Sequence, residues 1–222
     1  MAINLSKITL EKQGDTHRID LTKRSAGSSK EIVINLNWSK GGNAQKGFLA
    51  KLLSGNSDID LDLGCFWELR DGTHCVIDGI QFAHGQGGGR NQCTNQGCYA
   101  SPPWVWHTGD DRSGSGSEGE NILVNPNGIK DLKRIFVYCF IYEGAARWSE
   151  TNAIVTIKVP ENPDIVVEMG AQTDERKFCG IADITFDTNG GMTVKKLVSF
   201  HGGHSDCDRS YGWGMRWQAG SK

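Results

Sequence analysis

The chain has 222 residues, and 24 Lys and Arg against 26 Asp and Glu leave a formal net charge of −2. That length suits one large domain or two small ones, can bury roughly 70% of its unfolded surface without a disulfide or structural metal, and offers no whole-chain field that would favour nucleic acid. Glycine is the outlier: 29 residues against 5 prolines, near twice its usual ~7% share, which places the excess in tight loops of a folded chain.

Taken in chain order, the first clear element is Ile32, Ile34, Leu36 and Trp38 alternating with Glu31, Val33, Asn35 and Asn37, a half-buried strand. Gln45 to Leu53 groups Phe48, Leu49, Leu52 and Leu53 on one side and predicts a short helix. The stretch from about 74 to 106 reads as a long Cys- and Gly-rich loop, densest between His84 and Ser101, and loops of that length are commonly functional. Ile135 to Tyr142 is apolar without alternation, which predicts a central strand covered on both faces. Ala145 to Asn152 could form two helical turns. Alternation returns in Ala153–Val159, in Ile165, Val167 and Met169, and in Ile184 and Phe186. Turn signals separate the runs: Asn127-Gly128, Pro160-Glu161-Asn162-Pro163 and Asp187-Thr188-Asn189-Gly190-Gly191. The expectation is an all-β fold, a two-sheet β-sandwich with one or two short helices and long Gly-rich loops, forming a single domain over 1–222.

Two acidic clusters carry the chemistry. In Asp58-Ile59-Asp60-Leu61-Asp62-Leu63, a strand sends three carboxylates to one face and three aliphatic side chains to the core. Carboxylates two residues apart on a strand lie roughly 6.6 Å apart and repel unless something cationic intervenes. Ca²⁺, which takes oxygens at about 2.3–2.6 Å from several segments, suits that arrangement. An EF-hand does not fit, because counting from Asp58 puts Leu63 at the glycine position and Leu69 at the glutamate position. The second cluster runs from His107 to Glu120 and includes Asp110, Asp111, Ser117, Glu118 and Glu120 among glycines that allow tight backbone turns. A solvated strand face and a flexible Gly/Ser loop are the plain alternatives. Together the clusters concentrate acid on an otherwise mildly basic chain.

Cys75, Cys93 and Cys98 lie near His74, His84 and His107 in sequence. Cys93-x4-Cys98 is a loose ligand pair for tetrahedral Zn²⁺, with free thiols and simple packing as competing readings. Cys65 and Cys139 fall in predicted strands as small core residues. His201, His204 and Cys207 fit a glycine-flanked turn leading into a last strand better than a metal site. Trp104, Trp106, Trp213 and Trp217 could stack on a sugar or cap the core. The start, Met1-Ala2-Ile3-Asn4, shows no basic-then-apolar leader, and no run nears the ~20 apolar residues of a membrane span. A cytoplasmic protein with reduced thiols is the expectation.

Asp60-Leu61-Asp62-Leu63, Gly109-Asp110-Asp111-Arg112-Ser113-Gly114 and Ile141-Tyr142-Glu143-Gly144 followed by Trp148 resemble the tellurite-resistance TerD-type family, as does the opening Ile3-Asn4-Leu5-Ser6-Lys7 with Leu10-Glu11-Lys12. Asp60-Leu61-Asp62-Leu63-Gly64-Cys65, Gly119-Glu120-Asn121-Ile122, Phe200-His201-Gly202-Gly203-His204 and Tyr211-Gly212-Trp213-Gly214-Met215-Arg216-Trp217 resemble its TerA branch. The resemblance implies a β-sandwich, Ca²⁺ binding and a role in bacterial or phage stress and tellurite resistance, without an established enzymatic reaction. It points to Asp60, Asp62, Asp110, Asp111 and Glu120 as metal ligands, then Asp58, Ser117 and Glu118, with Glu143 as an extra. The family's calcium-binding branch has a more acidic second loop than Ser115–Glu120 here, which implies weaker binding or fewer ions.

The expected function is therefore a calcium-binding, non-enzymatic stress-response protein acting as an interaction module, with protein partners in a stress-response complex and no nucleic acid. The rival readings are a Ca²⁺-dependent carbohydrate-binding sandwich and a thiol-based redox protein acting on tellurite.

Overall fold

The computed structural model describes residues 7–23, 31–38, 59–109, 119–144, 147–169 and 172–222. The described strands are β1 (Ile8–Thr9), β2 (Thr16–Asp20), β3 (Ile32–Asn37), β4 (Asp60–Leu69), β5 (His74–Asp78), β6 (Gly97–Cys98), β7 (Val105–His107), β8 (Glu120–Val124), β9 (Leu132–Glu143), β10 (Ile154–Lys158), β11 (Ile165–Glu168), β12 (Phe178–Phe186) and β13 (Gly191–His201), followed by helix α1 (His204–Tyr211). They form two sheets, ordered β1-β11-β10-β3-β8-β7-β6 and β2-β13-β12-β9-β4-β5. All pairings between these strands are antiparallel except β1 with β11. The protein is an all-β, two-sheet sandwich.

Alternation decides what fills the space between the sheets. Ile32, Ile34 and Leu36 of β3, Leu61, Leu63 and Cys65 of β4, and Ile135, Val137, Cys139 and Ile141 of β9 are all buried in one core. The interleaved residues of the second sheet, Phe66, Phe136, Tyr138, Phe140 and Phe178, form a separate buried cluster with Leu197, Cys207 and Trp213. This second cluster explains the unbroken apolar run of β9. One of its faces meets the opposite sheet, and the other lies beneath α1 and the segment that follows it.

The predicted turn leading into a last strand is instead α1. Ser, Asp, Cys and Tyr are weak helix formers, so local propensity gave no signal there; packing holds the helix. Cys207 and Asp208 are buried, and Gly212 closes the helix at φ +70° with its N–H on Asp208 O. Tyr211 OH and Ser199 Oγ share a hydrogen bond at 2.7 Å. Asp208 then fastens the next segment by accepting from Gly214 N (2.7 Å), Met215 N (3.0 Å) and Trp217 Nε1 (2.6 Å). The helix expected at Gln45–Leu53 lies outside the described residues. Of Ala145–Asn152 the structure shows a 3-10 turn at Trp148–Glu150. The start of the expected 74–106 loop is strand β5, which leaves the irregular stretch between Asp78 and β6.

Candidate metal centre

β4 carries the acidic residues on the face its sequence predicts. Leu61 and Leu63 are fully buried between the sheets. Asp60 and Asp62, at alternate positions, share the outer face with Gly64 and Phe66. Both carboxylates are nevertheless withdrawn from water, Asp62 completely and Asp60 at 7% exposure.

What buries them begins with a ladder that stops short. β5 pairs with β4 from Glu68↔His74 to Gly64↔Asp78, so the backbone of Leu63 has no β5 partner. The other sheet supplies one. Glu120 Oε2 accepts the Leu63 N–H at 2.7 Å, and His107 Nε2 lies 3.1 Å from Leu63 O and 3.6 Å from Glu120 Oε2. Because Gly109 N–H donates to His107 Nδ1 at 3.1 Å, the ring proton belongs on Nε2, where it donates to Leu63 O. Glu120 and His107 are both essentially fully buried.

Above the acidic pair lies the closing segment of the sequence. Lys222 Nζ is 2.5 Å from Asp62 Oδ1 and 3.5 Å from Asp60 Oδ2, with its side chain 2% exposed. Gly79 makes room for this contact: a Cβ there would stand 2.7 Å from Asp62 Oδ1 and 3.0 Å from Lys222 Cε. Asp62 Oδ2 is buried and has no hydrogen-bond partner among the described residues. Burial, and then the nearby charges of Glu120 and Asp60, push the Asp62 carboxyl up to about 8, against the opposing pull of Lys222. An acid group held this way is short of positive charge, and a hard divalent cation would supply it.

A second buried polar group lies on the same outer face, where no sequence motif marked it. Asp78 is fully buried and accepts from Tyr138 OH at 2.5 Å and from His204 Nε2 at 2.8 Å. Burial alone would raise its carboxyl, but the bonds and charge from His204, with the Tyr138 bond, outweigh it and hold the group below its ordinary value. Tyr138, Phe140, Phe178 and Trp217 ring His204, so this network ties α1 to the sheet.

The structure thus brings Asp60, Asp62 and Glu120 to one end of the sandwich. Asp58, Asp110, Asp111, Ser117 and Glu118 lie outside the described residues. Among the described residues, no three His, Cys, Asp or Glu side chains form a ready-made metal cage. Asp60 and Asp62 fit a calcium ion in charge and ligand type, whereas Glu120 is turned toward Leu63 and His107. The sequence reading places His204 in a turn and does not mark Asp78 or Lys222, since a lysine 160 residues from its partner leaves no local pattern.

Cys93 and Cys98 are joined as a disulfide, and in that state neither offers a thiolate to Zn²⁺. Cys75 is exposed and free, while Cys65, Cys139, Cys179 and Cys207 are buried. Three of the four tryptophans considered for sugar stacking use their indole N–H inside the fold: Trp104 on Asp131, Trp106 on Gly88 O and Trp217 on Asp208. Trp213 is buried. Among the described residues no helix is long and apolar enough to cross a membrane.

The fold and the buried acidic pair define an all-β sandwich with a candidate cation site at one end. Along 220 residues, 99% of its length, the chain is 36% identical to the tellurium resistance protein TerA of Alcaligenes sp. The chain spans 60% of that relative's length. The resemblance to the TerA branch therefore runs along nearly the whole chain. No protein-family model matches it. Among solved structures, the protein of unknown function SAV2460 shares the fold at a TM-score of 0.53 with 14% identity, over 84% of this chain and 98% of that one. A homologue of telluride resistance protein (TerD), SCO6318 from Streptomyces coelicolor A3(2), aligns with 13% identity at a TM-score of 0.47, over 82% of this chain and 95% of its own.

Proposed function

We propose that the chain is a calcium-binding, non-enzymatic stress-response protein of the tellurite-resistance type, acting in the cytoplasm as an interaction module for protein partners. The likeness to the TerA protein supports the tellurite part. The observation that carries the metal part is the buried Asp60–Asp62 pair, whose oxygens already converge on one cationic atom. Asp60 and Asp62 would hold the ion, with Asp58, Asp110, Asp111, Ser117 and Glu118 as the further oxygen donors and Glu120, held by Leu63 N–H, adding its charge beside them. Calcium would neutralise these carboxylates and fasten the acidic loop to the end of the sandwich, which orders a surface for a partner. Calorimetric titration with Ca²⁺ should show binding that raises the unfolding temperature and is lost in Asp62→Asn. No heat and no thermal shift in the parent protein would remove the metal part. Tellurite survival of cells carrying the Asp62→Asn form tests the resistance part separately.

The Cys93–Cys98 disulfide favours a second reading, a thiol-based redox role toward tellurite. If replacing Cys75, Cys93 and Cys98 by Ser leaves resistance unchanged, that reading is wrong.

A further inference from the structure

The ammonium of Lys222 stands where a cation on Asp60 and Asp62 would stand. Its 2.5 Å separation from Asp62 Oδ1 falls within the 2.3–2.6 Å that a calcium ion keeps from its oxygen ligands, while Asp60 Oδ2 lies 3.5 Å away and would close in on an ion. Two cations cannot share that point. The lysine stem is also walled in: Gly79 lies against Cε, and the side chain is 2% exposed. An ion entering at that point therefore displaces Nζ.

The rest of the segment also makes backbone contacts. Lys222 N donates to Tyr142 OH at 3.2 Å, Nζ lies 4.6 Å from the centre of the Tyr142 ring, and Ser221 O is 3.1 Å from His84 Nε2. Gly220 packs against Ile80, where a Cβ would come within 2.7 Å. The two backbone contacts are solvent-exposed, and exposed hydrogen bonds with few buried apolar contacts mark the parts of a fold that open at low cost. Further toward the helix the chain is anchored differently, by the three bonds to Asp208 that end at Trp217. Trp217 thus ends the part anchored to α1, and the strap lies beyond it.

We propose that Lys222 is a tethered cation that competes with a divalent ion for Asp60 and Asp62, so that ion binding and release of Ala219–Lys222 are one event. This rests on the calcium reading of the site and adds its regulation: the closed strap lowers the apparent affinity, and the bound ion uncovers the strip around Ile80, His84 and Tyr142 that the strap overlies. A ligand whose competent state is a minor population binds more weakly in proportion to that population. Removing the lysine should therefore tighten binding.

The test is calorimetric titration of Ca²⁺ into the chain and into Lys222→Ala, with amide hydrogen exchange followed by NMR at Gly220, Ser221 and Lys222 of the unmutated chain. The expected result is about tenfold or tighter binding in Lys222→Ala, together with faster exchange at the three amides once the parent chain is saturated with Ca²⁺. The exchange measurement separates displacement from the mere loss of a positive charge. Equal affinities, or a strap whose exchange is unchanged at saturation, would overturn the competition while leaving the calcium site standing. No heat in either protein would overturn both.

Discussion

Glu120 Oε2 accepts the backbone N–H of Leu63 at 2.7 Å, so a carboxylate from one sheet completes the hydrogen bonding of a strand in the other. The bond falls where β5 ends and β4 continues, and it brings a third acid beside Asp60 and Asp62. One residue thus seals the sandwich and raises the negative charge at its end.

Glu120→Ala should destabilise the protein by about 1–3 kcal/mol, because it strands a buried N–H. Glu120→Gln keeps an acceptor and should cost less, while lowering the proton affinity of Asp62 by removing a neighbouring charge. Urea denaturation of both variants, with an NMR titration of Asp62 in the second, tests the pair of statements.

Asp62 also sets a pH dependence of definite sign. Its carboxyl is raised from 3.8 to about 8 on folding, so its contribution to stability is fully present below the ordinary carboxylate value and is lost as pH rises through about 8. In chelator, the unfolding temperature of the parent protein should therefore fall relative to that of Asp62→Asn between these limits. Parallel curves for the two proteins would show that Asp62 ionises freely.

Asp78 has the opposite sign. Its folded value is depressed, so its contribution is present above the ordinary carboxylate value and lost as pH falls through the folded one. Asp78→Ala removes the partner of both Tyr138 and His204 and should cost roughly 3 kcal/mol. His204→Ala should loosen α1 specifically, seen as a change in Trp217 fluorescence before global unfolding; an unchanged signal would mean that the aromatic ring around His204 holds the helix without the ion pair.

Gly64 is a tight point of the outer face. A Cβ there would run into the Tyr138 ring, and shifting that ring would disturb the bond to Asp78. Gly64→Ala should destabilise by about 1–3 kcal/mol, as overpacking does, and thermal unfolding is the measurement. A neutral result would mean that the β4–β9 pair yields more readily than its packing suggests.

The thiols should divide by access. Burial pushes up the thiols of Cys65, Cys139 and Cys179, and that of Cys207 to about 12, so these four should resist alkylation in the folded protein. Cys75 is the exposed free cysteine. Mass spectrometry after native iodoacetamide treatment without reductant should find one label per chain, rising to five in denaturant.

Much of this was written locally. Alternation in Ile32–Trp38 and Ala153–Val159 marked β3 and β10 because a pleated strand turns alternate residues to opposite faces. The unbroken run at Ile135–Tyr142 marked β9 because two covers leave it no polar side. The direction of Asp60 and Asp62 followed from Leu61 and Leu63 for the same reason. Helix α1 was not legible, since its residues favour helix weakly and its stability comes from Cys207 and Tyr211 packing on strands far away in sequence.

By itself, then, the sequence determined a two-sheet sandwich with acids on one face of β4, because hydrophobic period and turn chemistry are properties of neighbouring residues. Only the tertiary structure decided that those acids are buried, that Glu120 and His107 close the Leu63 backbone, and that Lys222 lies between Asp60 and Asp62. Burial and charge pairing depend on groups that meet in space after folding, and separations such as the one from Asp62 to Lys222 leave no periodic trace along the chain.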